Sequence, residues 1–217
     1  MTKSPTHWLQ KLCGKFLVFD GPDGSGKTTQ FRRFHDLAVA EGLEVCEVRE
    51  PGGTQIGEHI RNVLLDPAND PMDLRCEMLL YMASRAQLVA ERIKPALAAG
   101  KLVLADRFIS STMAYQGTAG GIPVPHILRV GQVALGQAWP DLVVIFDVNE
   151  RTAAARLNPL LDRMEMKGLD YHRIVRRGYL DQAQADPDRY LVIDATADAD
   201  TTFTRLIQSL QTKAATL

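Results

Sequence analysis

The chain has 217 residues, 46% of them apolar and 24% charged, with a net charge of -1. That balance gives enough apolar surface for one sizeable core and excludes a disordered polyelectrolyte. No basic block or stripe stands out, so the electrostatic source of nucleic-acid binding is missing and no nucleic-acid partner is expected.

Residues 1–14 carry Pro5 and scattered polar residues where a secretory leader would need an apolar run, and the longest apolar runs elsewhere are strand-sized. The expectation is a cytoplasmic protein without a membrane partner, a loosely attached extension over 1–14 and one domain over 15–217. Cys13, Cys46 and Cys76 show no CxxC or Cys/His ligand spacing, which points to free thiols in a reducing compartment and away from structural zinc.

In chain order, short apolar or β-branched runs at 16–20, 44–48, 102–105, 142–147 and 190–193 predict five strands. Helical patterns at 27–41, 54–65, 74–99, 110–115, 125–137, 150–157, 169–185 and 199–213 lie between and after them. In 74–99 the apolar positions Met78, Leu79, Met82, Ala86, Val89 and Ile93 share one side, and Pro95 should kink or end the helix. Strands alternating with helices imply an α/β fold, a parallel sheet with helices on both faces.

Gly21-Pro22-Asp23-Gly24-Ser25-Gly26-Lys27-Thr28 fits GxxxxGK[ST] and falls between the first strand and first helix, where a phosphate-binding loop belongs. Glycines let the backbone turn and approach phosphates, so that consecutive N–H groups face the anion while Lys27 adds a point charge. Thr28 offers a hydroxyl to Mg²⁺, and Thr29 continues the phosphate-binding run. Asp23 is unexpected there, because a carboxylate repels the ligand the loop holds. Either it serves a second substrate, accepting from a sugar hydroxyl while pairing with an arginine, or it is a solvent-facing loop residue.

Ligands of doubly wound sheets lie beyond the carboxyl ends of the strands, and this sequence puts Arg49 after the second strand and Asp106-Arg107 after the third. Two guanidinium groups near a triphosphate suit a second, phosphate-bearing substrate, and Asp106 stands where it can hold a water on Mg²⁺. Taken singly, each dipeptide reads equally as a surface ion pair.

Glu77, Tyr81 and Arg85 recur at i, i+4 and i+8 on one helix side. A ring beside a donor-only side chain suits a base with a carbonyl, such as thymine or uracil, and not cytosine with its amino group. An ordinary stripe on a partly buried helix is the alternative.

The order of phosphate loop, Arg49-Glu-Pro-Gly-Gly-Thr54, Tyr81-Met-Ala-Ser-Arg85, Asp106-Arg107 and Ser111-Thr-Met-Ala-Tyr-Gln-Gly117 resembles bacterial thymidylate kinases, from about Phe16 to the C-terminal helix. The resemblance implies a three-layer P-loop nucleoside-monophosphate kinase fold, a homodimer formed through helices, and transfer of phosphate from ATP to dTMP with Mg²⁺. It also implies that Arg49 and Arg107 grip the dTMP phosphate, Tyr81 stacks on thymine and Arg85 reads its O4. Thr112 would contact the base edge, Asp23 would receive the 3′-hydroxyl, Tyr115 would crowd out a 2′-hydroxyl, and Ser111 and Gln116 would contribute further contacts. Residues 110–115 and 125–137 are the suggested dimer contributors.

The family's arginine-rich lid is matched by a short stretch over 156–165 with Pro159 and two arginines, Arg156 and Arg163, either of which is expected to reach the transferring phosphate. Arg173, Arg176 and Arg177 read as a solvated helix face. A related nucleotide or deoxynucleoside kinase, or a nucleotide-dependent switch with weak transfer activity, are the competing functions.

Overall fold

A computed structural model describes residues 7–156 and 168–217. Five parallel strands, β1 (Phe16–Asp20), β2 (Val45–Arg49), β3 (Leu102–Asp106), β4 (Leu142–Asp147) and β5 (Tyr190–Asp194), run in the order β2-β3-β1-β4-β5. The order reverses direction at β1, which opens a crevice at the carboxyl ends of β1 and its two neighbours. Arg49 faces Asp106 in the β2–β3 register, and Phe19 faces Asp106 in the β1–β3 register, so the residues carrying charge arrive at one edge.

Strand side chains alternate faces, and the two cores follow that period. Phe16, Val18, Val103, Ala105, Val143 and Ile145 pack on one side. Leu17, Phe19, Leu102, Leu104, Leu142, Val144 and Phe146 pack on the other. The second side is covered by α1 (Lys27–Ala40) and α9 (Ala199–Lys213), where Phe19 meets the rings of Phe31, Phe34 and Phe146 at 6.0, 5.4 and 5.3 Å. The same core takes in Leu9 and Leu12 from a 3-10 turn, His7–Leu12, and both are fully buried. A loosely attached extension is therefore not what residues 7–14 form. Three apolar residues in six, Trp8, Leu9 and Leu12, bury themselves because the sheet face beneath offers apolar partners, which a local reading cannot see.

The first side carries α2 (Gln55–Leu65), α3 (Leu74–Leu88), α6 (Val124–Leu135) and α8 (Gly168–Ala185). The long helix expected over 74–99 is interrupted: α3 ends at Leu88, a π turn spans Val89–Ile93, and α4 (Lys94–Ala98) continues it. Pro95 lacks the N–H that an α ladder needs and crowds the preceding turn, and the wider turn just before it relieves both. A second π turn, Met113–Ala119, follows the short α5 (Ile109–Thr112), so the segment at 110–115 is half helix and half widened turn. It is also buried, with Ser110, Thr112 and Tyr115 at 5% exposure or less, and so offers no surface to a second subunit. After β4 comes α7 (Glu150–Arg156). No helix among the described residues is long and apolar enough to cross a membrane.

Candidate active site

Gly21, Gly24 and Gly26 take φ of 145°, 75° and 78°, a region that side chains avoid. Gly24 has a further reason to lack a side chain: a Cβ there would lie 2.3 Å from the Ala153 carbonyl oxygen, because α7 presses on the loop. The loop and the first turn of α1, from Pro22 to Gln30, line a cavity of about 590 Å³ whose far wall is Ala195, Ala197, Asp198 and Ala199, after β5. Thr28 and Thr29 are exposed at the start of α1, while Lys27 is buried and ion-paired to Asp106. Two buried side-chain oxygens in this wall, Ser25 Oγ and Gln30 Oε1, have no hydrogen-bond partner among the described residues.

Of the two arginines expected to reach the transferring phosphate, Arg156 lines the cavity from the end of α7. Its guanidinium donates to the carbonyls of Ala195, Thr196 and Ala197 at 2.9, 3.3 and 3.1 Å. Arg163 and most of the 156–165 stretch lie outside the described residues.

A second cavity adjoins the first and shares Asp23 and Arg107 with it. Tyr81 and Arg85 from α3 line it, as do Ser111, Thr112, Tyr115 and Gln116 from α5 and the π turn after it. Seven acceptor residues singled out in the sequence thus meet Asp23 in one space. Arg49 does not line it. Its guanidinium donates from Nη2 to both carboxylate oxygens of Glu58 at 3.0 and 2.9 Å, at the exposed end of β2.

The i, i+4, i+8 triplet faces inward, so a solvent stripe is excluded. Glu77 and Arg85 are each 1% exposed. Glu77 accepts from Gln116 Nε2 at 2.8 Å. Arg85 donates to Glu50 Oε2 from Nε (2.7 Å) and is ion-paired to the same oxygen through Nη2 (2.6 Å), donates from Nη2 to Thr112 Oγ1 at 3.1 Å and lies 5.1 Å above the Phe108 ring. Burial drives the Glu50 carboxyl up to about 7, and Arg85 only partly opposes it. The other Glu50 oxygen, Oε1, has no partner among the described residues.

Asp23 shows the opposite balance. Burial pushes its carboxyl up, but the Arg107 guanidinium, the Tyr115 hydroxyl donated to Oδ2 at 2.6 Å, Lys27 and His172 together hold it below the ordinary carboxylate range. Arg107 has φ of 67°, rare for a residue with a side chain. Its guanidinium is ion-paired to Asp23 through Nη2 and sits 5.4 Å over the Tyr115 ring.

Several lining groups escape a reading of the sequence. Glu50 stands inside the quoted Arg49-Glu-Pro motif, yet nothing local says that it pairs with Arg85, 35 positions on. Arg61 on α2 lines the second cavity and donates to the Pro51 carbonyl at 2.9 Å. Asp20 and Tyr179 are buried against Arg107, and 159 positions separate them. Arg176, read as solvated, instead donates to both oxygens of Asp147 at 2.7 and 2.9 Å, whereas Arg173 and Arg177 do form exposed helix pairs with Asp170 and Asp181.

Comparison with known proteins gives a consistent result. A family model described as Thymidylate kinase matches residues 19–205. A thymidylate kinase of Desulforudis audaxviator is 45% identical over 190 residues, 87% of this chain and 86% of that protein. One of Geobacillus sp. is 40% identical, with 91% and 96% covered. The crystal structure of thymidylate kinase from Ehrlichia chaffeensis superposes with a TM-score of 0.75 at 32% identity, over 92% of this chain and 99% of that one.

Proposed function

The chain belongs to the thymidylate kinase family, and from that premise we propose that it passes the γ-phosphoryl group of ATP, with Mg²⁺, to dTMP across the Asp23–Arg107 pair. One observation carries the reading: two cavities, one walled by a phosphate loop and the other by an aromatic ring and a buried arginine, meet at a single ion pair. Phosphoryl transfer asks little covalent chemistry of a protein; it asks that two anions be held in line while positive charge follows the moving group.

On the donor side the loop amides and Lys27 hold the triphosphate, and the orphaned Ser25 Oγ gains a partner in a phosphate oxygen. Lys27 moves from Asp106 to the phosphates as they enter. For a magnesium ion the donor set fits. Thr28 offers a hydroxyl and Asp106 a carboxylate, two hard oxygens of the kind that complete a shell made otherwise of phosphates and water. No group of three His, Cys, Asp or Glu among the described residues forms a dedicated cage. A magnesium ion held by Thr28 and Asp106 would supply charge neutralisation at the phosphates. Arg156 lines the same cavity and is assigned the lid charge, so Arg156→Ala should lower kcat by about 10³-fold.

On the acceptor side Tyr81 stacks on thymine and Arg85, fixed by Glu50 and Thr112, donates to its O4. Asp23 and Tyr115 meet the deoxyribose. Arg107 grips the 5′-phosphate and is joined by Arg49, which exchanges Glu58 for the phosphate. The acceptor brings its own nucleophile, since its second pKa of about 6 leaves it dianionic above neutrality and no general base is needed.

A homodimer is part of the proposal. Ile56 and Val63 on α2, Leu79 on α3 and Val133 on α6 are large apolar residues left exposed on helices of one layer, and Val133 lies within the expected 125–137 contributor. The free thiols Cys13, Cys46 and Cys76 are consistent with a cytoplasmic location.

ADP release should be measured with dTMP, dUMP, dCMP and dGMP in parallel. We expect dTMP to lead, dUMP to follow within the ~1–3 kcal/mol that one methyl group allows, and dCMP and dGMP to be inert. Equal rates with dCMP would point to a different nucleotide kinase, and calorimetry that detects no dTMP binding at millimolar concentration would remove the acceptor reading altogether.

A further inference from the structure

Arg107 Nη1 is surrounded by four oxygens from four parts of the chain. These are Gly21 O, Ser111 Oγ and Tyr179 Oη, all at 3.2 Å, and Asp20 Oδ1 at 3.4 Å. The carboxylate is the most distant of them, although a bare carboxylate attracts a guanidinium most strongly. Asp20 is restrained because it is saturated by other donors. Oδ1 takes Gly21 N–H at 2.9 Å, Ser111 Oγ at 2.8 Å and Tyr179 Oη at 2.7 Å, and Oδ2 takes Ser110 Oγ at 2.6 Å.

Tyr179 is fully buried on α8, and Gly178 brings that helix close: a Cβ at 178 would lie 2.7 Å from Thr118 Oγ1 and 3.1 Å from the Ala114 Cα. Burial and the adjacent Asp20 push the Tyr179 phenol well above the ordinary tyrosine range, so the hydroxyl keeps the proton it donates. Its lone pairs then accept from Arg107. One hydroxyl both quiets the carboxylate and holds the cation.

We propose that Tyr179 is a positioning residue for phosphoryl transfer: by saturating Asp20 it prevents that carboxylate from capturing Arg107 and keeps the guanidinium at the junction of the two cavities. This rests on the reading of Arg107 given under Proposed function. Without the hydroxyl, Asp20 Oδ1 lacks a donor at 2.7 Å, and the nearest available cation is Arg107 Nη1. Arg107 is then drawn toward the sheet, away from the phosphate.

The test uses the full chain, with steady-state kinetics and thermal melting of Tyr179→Phe, Asp20→Asn, the double variant and Arg107→Ala. Tyr179→Phe should lower kcat about 10- to 100-fold, the worth of one hydrogen bond to a charged group, with KM for ATP changed less than about 3-fold. Adding Asp20→Asn should restore at least about 5-fold of the kcat lost in Tyr179→Phe, because a neutral amide does not capture the cation. A kcat within about 3-fold of the parent, or a loss that Asp20→Asn does not relieve, overturns the proposal and leaves Tyr179 a packing residue. Should Tyr179→Phe not fold, Ser110→Ala carries the test; it strips a donor from Asp20 Oδ2, and an unchanged kcat there overturns the proposal equally. If Arg107→Ala itself leaves kcat unchanged, the fault lies with the role given to Arg107.

Discussion

The two cavities are built by different means. The cavity proposed for the donor takes most of its wall from one continuous stretch, Pro22 to Gln30, and offers an anion backbone amides and a helix start. The acceptor cavity takes its wall from side chains at positions 23, 50, 61, 81, 85, 107, 111, 112, 115 and 116. The first site is intolerant of bulk at Gly21 and Gly24, where a Cβ would meet the carbonyls of Phe146 and Ala153. Glu50, Asp23 and Gln116 in the second depend on partners far away in the chain, Arg85, Arg107 with Tyr115, and Glu77, and removing one leaves another stranded.

The sharpest break comes from Arg85→Ala. It removes the cation that opposes burial of Glu50, so the carboxyl must take up a proton or stay charged without its partner, and breaking such a buried pair costs roughly 3–5 kcal/mol. Chemical denaturation should show that loss together with loss of dTMP binding and retention of ATP binding; unaltered stability would mean that the pair is not the support described here. Lys27→Ala is the donor-side counterpart and should reverse the pattern. Here kcat should fall about 10²- to 10³-fold with little change in melting temperature, since Asp106 is partly exposed and can be hydrated.

Two acids in the acceptor cavity should pull stability in opposite directions with pH. Glu50 titrates near 7 when folded against an ordinary 4.5, so the native state holds that proton more tightly than the unfolded chain does. Its contribution is complete below pH 4.5 and is lost as pH rises through 7, roughly 3 kcal/mol at the limit. Asp23 is held low, so its contribution is present above the ordinary carboxylate range and lost as pH falls through its depressed value. Stability measured from pH 5 to 8 should decline in the parent and flatten in Glu50→Gln; parallel curves for the two proteins would count against the buried-acid account.

Smaller effects sharpen the contrast. Tyr115→Phe removes one hydrogen bond to Asp23 and should cost about 1–2 kcal/mol in kcat/KM for dTMP while sparing KM for ATP. Arg173→Ala breaks an exposed pair outside both cavities and should stay within about 0.5 kcal/mol of the parent by denaturation.

Legibility in the sequence follows the same division. The phosphate loop could be read directly, because its chemistry needs glycines, a lysine and a hydroxyl at fixed spacing on one turn. Strands and most helices were readable from apolar period, and the triplet Glu77, Tyr81 and Arg85 could be placed on one helix side. Which side faced inward could not, since Glu77 and Arg85 are polar and only Gln116, Glu50 and Thr112 make their burial tolerable. The widened turns at 89–93 and 113–119 were likewise hidden, as packing and not propensity selects them.

By itself the sequence determined the chemistry that local spacing can encode: an alternating α/β chain, an anion-binding loop and a set of arginines at strand ends. Tertiary structure alone decided which of those charges meet. It turned Arg49 toward Glu58, closed Arg156 over the loop after β5, drew the N-terminal turn into the core and set Asp20 and Tyr179 against Arg107. The physical reason is range: backbone geometry and side-chain period act over a few residues, whereas burial and electrostatic pairing act between any groups the fold brings within a few ångströms.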